Sequence, residues 1–251
     1  MLRQAPVPPL TLRERLIATA RFPRRGRGFW FGLFIEVIWP FLASFTRLGW
    51  RGGSNLPSGG CLLVVNHVSF CDPIVDTAFV LAHGRVPRYM AKSDLWRMPV
   101  VRRVLAGGGH IPVERATIAA GDAYRAAVAA VERGECLVVY PESTYTRRAD
   151  GWPMRGKNGV ARIALATGVP VVPVAHWGNQ DLLPPGSRWP RLYPRRSVRV
   201  LAGPPVDLSR FAGLRPARAV LDEATAAIMD AITDLLCELR GEQPPWRSAP
   251  G

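Results

Sequence analysis

The chain has 251 residues, 33 of them Lys or Arg against 19 Asp or Glu, for a formal net charge of +14. That length fits one α/β domain with a modest extension at each end, and it buries a core without help from disulfides. A basic surface favours anionic partners, but no zinc-ligand spacing, aromatic β-platform signature or basic heptad region is present, so no nucleic-acid partner is expected.

Residues 1–9 are Pro-rich and read as disordered. Thr11 is placed to cap a short amphipathic helix over 12–22, and residues 21–27 form a basic hinge. From 28 to 46 the chain is strongly apolar and aromatic, interrupted only by Glu36 and Pro40. This is about the length of a membrane span, yet a central Glu and Pro argue against a clean crossing. An in-plane or half-embedded hairpin with arginines at headgroup level fits better, and Trp30, Trp39 and Trp50 favour an interface. An ordinary core helix is the alternative. Residues 1–51 are therefore assigned to an N-terminal amphipathic, membrane-associating segment, 52–240 to the catalytic domain, and 241–251 to a disordered tail.

Within 52–240, the apolar run 61–65 reads as a buried strand and 73–82 as a helix. A short strand at 88–91, a helix at 99–105, a Gly107-Gly108-Gly109 turn and a strand at 110–113 follow. An Ala-rich helix spans 116–133, and a buried strand at 136–140 runs into Glu142. A helix over 159–167 stops at Gly168, with strands at 171–174 and 196–202 and a long helix over 217–240. Strands alternating with helices predict an α/β fold with a mixed, largely parallel sheet flanked by helices. Sites in such sheets gather beyond the carboxyl ends of strands, where both His67 and Glu142 fall.

Only Lys92 and Lys157 are lysines; the other basic residues are arginines. The cysteines Cys61, Cys71, Cys136 and Cys237 form no C-x-x-C pair, and Cys61 and Cys136 lie in apolar runs, which suits buried free thiols in a reducing compartment. No cleavable signal peptide is visible. No HExxH or similar spacing exists, so no metal is expected, and Gly107-Gly108-Gly109 lacks the flanks of a nucleotide loop.

Chemistry concentrates in Val64-Val65-Asn66-His67-Val68-Ser69-Phe70-Cys71-Asp72-Pro73. A strand that delivers His67 and Asp72 to its own end can build a general base, with the carboxylate fixing the tautomer. The same pair also fits a loop histidine beside a helix-capping aspartate, and the two residues alone do not choose between these readings. Ser69 suits a turn hydrogen bond better than a nucleophile. His83, His110 and His176 read as structural.

This stretch resembles the N-H-x-S-x-x-D block of the 1-acyl-glycerol-3-phosphate acyltransferases, the lysophospholipid acyltransferase family, of the bacterial kind. Three further blocks follow in the family's order: Gly109-His110-Ile111-Pro112-Val113-Glu114-Arg115, Tyr140-Pro141-Glu142-Ser143-Thr144 and Val169-Pro170-Val171-Val172-Pro173-Val174. The resemblance covers roughly residues 55–205. It implies a glycerolphosphate-acyltransferase-like fold, His67 as general base and Asp72 as its orienter. It also implies an acceptor site drawn from Glu142, Arg115, Lys92, Ser143 and Thr144; Asn66 is read either as a substrate-binding donor to the developing oxyanion or as a residue that holds the turn. Acyl-CoA or acyl carrier protein would be the co-substrate, with no cofactor, a lysophospholipid the acceptor, and the cytoplasmic face of the cell membrane the location, peripheral or monotopic.

The third block departs from the family's F-P-E-G-T-R. Ser143 replaces a glycine, and Tyr145 replaces an arginine, removing one expected phosphate ligand. Arg155 and Lys157 are the expected substitutes, because they lead into a helix N-terminus, which favours anions. The departure keeps open another lysophospholipid or glycerol-3-phosphate as acceptor. A non-catalytic protein that sits on anionic membranes is the rival from another class.

Overall fold

The computed structural model describes residues 7–24, 26–114 and 119–248. Helix α1 (Leu12–Ala20) starts at a reciprocal capping box: Glu14 N–H donates to Thr11 Oγ1, and Thr11 N–H donates to the Glu14 carboxylate at 2.8 Å. Helix α2 (Phe29–Phe45) runs through Pro40 without a break. Phe31, Ile35, Trp39 and Leu42 recur at helical spacing and form its buried stripe, while Glu36 stays outside and pairs with Arg27 at 3.2 Å. Trp39 Nε1 donates to Thr19 Oγ1 at 2.7 Å, so α1 and α2 pack together. Among the described residues no helix is long and apolar enough to cross a membrane.

Among the described residues seven strands follow: β1 (Thr46–Arg51), β2 (Cys61–Val65), β3 (Pro87–Lys92), β4 (Ile111–Val113), β5 (Cys136–Val139), β6 (Val171–Trp177) and β7 (Arg196–Ala202). They form one sheet in the order β1-β7-β6-β2-β5-β3-β4. Only β6 and β7 pair antiparallel; every other neighbouring pair is parallel. The remaining helices are α3 (Asp72–Ala82), α4 (Pro99–Gly107), α5 (Ala119–Glu132), α6 (Gly159–Thr167), α7 (Asn179–Leu182), α8 (Arg218–Arg240) and α9 (Pro245–Ser248).

β2 shows why the sheet must be covered on both faces, since all five of its residues are buried. Leu63 and Val65 point into a cluster with α2 and α3, and Leu62 and Val64 into a second cluster with α5, α6 and α8. The mixed, largely parallel sheet flanked by helices is thus the architecture the strand–helix alternation predicts.

Two boundaries differ from the sequence expectation. β1 lies in the segment assigned to the N-terminal extension, yet it pairs with β7 from Thr46↔Arg196 to Arg51↔Leu201, so the sheet begins before residue 52. Leu48 is fully buried between exposed Arg47 and Arg51, a period-two signal overshadowed by the aromatic run before it. At the other end, residues 241–248 are tied down rather than loose. Trp246 meets Trp152 edge-on at 6.1 Å, and Arg247 pairs with Asp230 at 3.0 Å and with Asp234. Val7, in the Pro-rich start, is also buried, and Leu10 N–H donates to Leu48 O at 2.7 Å. The rest of the expected disorder, residues 1–6 and 249–251, lies outside the described residues, as do Arg25 of the hinge and the expected helix start at 116–118.

Candidate active site

β2, β3, β5 and β6 are mutually parallel, so their carboxyl ends open on one edge of the sheet. Val65 of β2 pairs with Val174 of β6, and each strand carries a histidine two residues farther on, His67 and His176. Asn66 joins the two ends. Its Nδ2 donates to His176 O at 3.1 Å, and its Oδ1 accepts from His176 N–H at 2.9 Å. Both ends of the buried amide are committed to β6, so Asn66 holds the turn and does not serve as a substrate ligand.

Asp72 opens α3 and is fully buried. Its Oδ2 accepts from His67 Nδ1 at 2.7 Å and from the Val68 and Ser69 N–H groups at 2.7 and 2.8 Å, while Oδ1 accepts from Asn179 Nδ2 at 2.8 Å. Burial alone would raise this carboxyl. The adjacent His176 charge and the hydrogen bond from His67 outweigh burial and hold it well below the usual carboxylate range. An ionised Asp72 requires the proton on His67 Nδ1, which leaves the Nε2 lone pair for chemistry. The His67 ring also stacks on Tyr140 at 4.3 Å and 20°. Ser69 is buried; its hydroxyl accepts from Cys71 N–H at 3.3 Å, the expected turn hydrogen bond, and also donates to the distant Leu183 O at 2.6 Å.

Sequence reasoning assigned His176 only a structural role and did not single out Asp76, Tyr140 or Asn179. His176 is wholly buried. Its Nδ1 lies 2.9 Å from Asp76 Oδ1, and its Nε2 lies 3.1 Å from Asp72 Oδ2 but off the line of a hydrogen bond. Burial pushes this imidazole down, but Asp72 and Asp76 more than offset that and raise it to about 10. Tyr140 O–H donates to Asp76 Oδ2 at 2.7 Å. Two signals were available: Asp76 lies one helical turn after Asp72, and β6, like β2, ends an apolar run on a histidine.

Glu142 does not face the cavity, contrary to its assignment to the acceptor site. Its buried carboxylate accepts from His67 N–H at 3.1 Å and from Met154 N–H at 2.8 Å, bracing two loops. Burial raises it to about 7, partly offset by those two N–H donors. Ser143 sits at φ 63°, the left-handed region, so the turn keeps the family glycine's conformation and carries strain on the order of 1 kcal/mol. Tyr145 packs edge-on against Phe70 at 5.0 Å and lies 6.3 Å from the His67 ring.

These residues border a cavity of about 1010 Å³. Phe31 and Phe34 of α2 and Val101 and Val104 of α4 line its apolar part, and His67, Ser143, Thr144 and Tyr145 line its chemical end. Lys92, which also pairs with Asp94, and Lys157 both open on it, and so does Arg162, a residue the sequence reading missed. Arg155 does not. It pairs with Asp222 at 3.5 Å in a separate concavity of about 480 Å³ against α8, which corrects its assignment as a phosphate ligand. Arg115 lies outside the described residues.

The other histidines are structural. His110 Nδ1 accepts from Tyr89 N–H at 3.1 Å, and burial, helped by Arg88, lowers it to about 4. His83 Nδ1 donates to Phe79 O at 2.7 Å. Cys61, Cys71 and Cys136 are buried and free. Among the described residues, no group of three or more His, Cys, Asp or Glu side chains is placed to hold a metal ion.

Residues 47–177 match the family model described as Acyltransferase. The chain is 29% identical over 178 residues to the 1-acyl-sn-glycerol-3-phosphate acyltransferase BAT2, chloroplastic, of Brassica napus, covering 69% of this chain and 49% of that protein. It is 26% identical over 182 residues to the chloroplastic 1-acyl-sn-glycerol-3-phosphate acyltransferase LPAT1 of Arabidopsis thaliana, covering 70% and 49%. The chain therefore spans about half the length of these curated relatives. In fold it is similar to the crystal structure of the 1-acyl-sn-glycerophosphate (LPA) acyltransferase PlsC from Thermotoga maritima, with a TM-score of 0.59 at 20% identity over 90% of this chain and 95% of that one. With the family match spanning more than half of its residues, including the His67–Asp72 turn, the chain belongs to the Acyltransferase family.

Proposed function

We propose that this protein moves a fatty acyl chain from a thioester, acyl-CoA or acyl carrier protein, to the free hydroxyl of 1-acyl-glycerol-3-phosphate, giving phosphatidic acid. The observation that carries the reading is the 2.7 Å His67–Asp72 hydrogen bond at the mouth of a large apolar cavity with a cationic rim.

His67 Nε2 takes the proton of the acceptor hydroxyl as the oxygen attacks the thioester carbonyl. The tetrahedral intermediate collapses, the carbon–sulfur bond breaks, and His67 returns the proton to the departing thiolate. No acyl-enzyme is needed, and the Ser69 hydroxyl is already committed to Leu183 O. Lys92, Lys157 and Arg162 supply positive charge for the acceptor phosphate, and the space between α2 and α4 takes the acyl chain. Its volume is at the upper end of the roughly 300–1,000 Å³ usual for small-molecule sites, which suits a lipid.

The outward faces of α1 and α2 expose Leu12, Leu16, Phe29, Trp30 and Val37, so the same segment that walls the cavity suits peripheral docking on an anionic membrane. One observation favours a second acceptor class. Tyr145 stands against Phe70 where the family carries an arginine, which fits a lysolipid with another headgroup.

The test is thiol release from palmitoyl-CoA in mixed micelles with a panel of lysolipids and glycerol-3-phosphate, comparing the wild type with His67→Ala. Release that requires lysophosphatidic acid and is lost in the variant supports the reading. Release with another acceptor alone moves the specificity to Tyr145. Vesicle binding without turnover on any acceptor or donor overturns the enzymatic reading in favour of a membrane-binding protein.

A further inference from the structure

We propose that His176 is a positioning residue whose imidazolium, lodged between Asp72 and Asp76, sets the charge that His67 meets when it takes the acceptor proton. The proposal rests on the general-base reading of His67.

Two buried carboxylates flank the His176 ring. Nδ1 hydrogen-bonds to Asp76 Oδ1 at 2.9 Å, and Nε2 sits 3.1 Å from Asp72 Oδ2, off the line of a hydrogen bond but within close ion-pair distance. A neutral ring protonated on Nδ1 would leave a buried Nε2 lone pair 3.1 Å from an Asp72 carboxylate oxygen, whereas an imidazolium places positive charge beside both carboxylates. With both nitrogens protonated, the buried set of Asp72, His176 and Asp76 carries one surplus negative charge.

That single charge is what His67 feels. When His67 becomes protonated the cluster is neutral, and when the proton leaves, the surplus returns. Without the His176 cation two buried carboxylates one turn apart on α3 would hold the proton on His67 too firmly, and a base that does not release its proton does not protonate the leaving thiolate. Tyr140 closes the circuit, since its O–H donates to Asp76 at 2.7 Å and its ring lies 4.3 Å from His67.

Other groups face the same space. Cys71 precedes α3, with its thiol pushed up to about 12 by burial and by Asp72, and Tyr89 on β3 is likewise raised by burial. Glu142 and Tyr145 follow β5, and Lys92 and Lys157 open on the cavity. The variants below leave all of these unchanged, so differences between variants report on His176 and Asp76.

The experiment is a ring-NMR pH titration of the full chain labelled in histidine. Wild type is compared with His176→Gln and with the double variant His176→Gln/Asp76→Asn, and thermal unfolding is recorded for each. In the wild type both His176 nitrogens stay protonated across neutral pH. In His176→Gln the pH at which His67 takes up its proton rises by at least about half a unit, as expected for loss of a nearby cation. In the double variant, which removes one charge of each sign, that pH returns to the wild-type value. The acid limb of kcat moves with it while the acceptor KM stays unchanged, a split that mere structural damage does not give. A neutral His176 in the wild type overturns the proposal even if His176→Gln fails to fold. An unmoved His67 in the single variant, or a double variant shifted as far as the single, overturns it too. Absence of acyl transfer by the wild type would instead sink the general-base reading, while the NMR comparison still decides the charge coupling.

Discussion

The backbone N–H of His67 donates to Oε1 of Glu142 at 3.1 Å, so the two residues meet main chain to side chain, and Met154 N–H holds the other carboxylate oxygen at 2.8 Å. Glu142→Gln presents an amide N–H to one of those donors and breaks one brace. The expected result is a loss of at least about tenfold in kcat, the equivalent of about 1.4 kcal/mol, with acceptor KM little changed. Burial raises this carboxyl from 4.5 to about 7. Between those values the folded chain keeps a proton that the unfolded chain has released, so stability falls as pH rises through the window, by about 3 kcal/mol in total. Denaturant unfolding of wild type and Glu142→Gln across that range checks it: the variant should lack this part of the slope.

Asp72→Asn keeps the shape of the turn but substitutes an amide for an ionised carboxylate that accepts from His67, Val68 and Ser69. The His67 tautomer is then no longer fixed. Steady-state thiol release should show kcat down roughly 10²–10⁴-fold, the span typical of a positioned acid–base group. The wild-type carboxyl is held low, so its stabilising contribution is present above the ordinary carboxylate range and is lost as pH falls below it.

Lys157 and Arg155 are two residues apart yet serve different surfaces. Lys157→Ala should raise KM about tenfold for acceptors that carry a phosphate monoester, with a smaller effect on acceptors that lack one. Arg155→Ala should leave both unchanged within twofold (about 0.4 kcal/mol), because Arg155 is itself exposed, pairs with Asp222 and lies away from the cavity. Equal KM defects in the two variants would remove Lys157 from the acceptor site.

Val37 is 65% and Phe41 38% exposed on the outer face of α2. Val37→Asp with Phe41→Asp should weaken sedimentation with anionic vesicles at least about tenfold, from lost apolar burial and added negative charge. Turnover of short-chain substrates in solution should persist, since neither Val37 nor Phe41 lines the cavity. Unchanged vesicle binding would argue that this face contacts something other than lipid.

The sequence made the interior of the fold legible wherever local chemistry coincided with tertiary need. β2, α6 and β7 have the bounds read from the sequence: β2 is an uninterrupted apolar run, and α6 stops at Gly168. The His67–Asp72 pair was legible because both partners lie in one turn. What stayed hidden depends on partners far along the chain. Glu142 is spent on two backbone amides that no pattern announces. Arg155 is drawn away by Asp222 on α8, while the Lys157 backbone is pinned by donation to Pro141 O at 2.9 Å. His176 was read as one histidine among three structural ones, since its significance arises only when β6 is laid beside β2. β1 was missed because its register partner begins 150 residues later, at Thr46↔Arg196.

That separation has a consequence in time. A ribosome adding roughly 5–20 residues per second needs on the order of ten seconds or more to go from β1 to the strand that will pair with it. Throughout that interval β1 has no neighbour in the sheet, and Ile35, Trp39 and Leu42 of α2 have no finished core to enter. The nascent chain thus spends its longest wait with its most apolar segment uncovered, and whatever shelters that segment, chaperone or lipid surface, acts before the catalytic residues have been brought together.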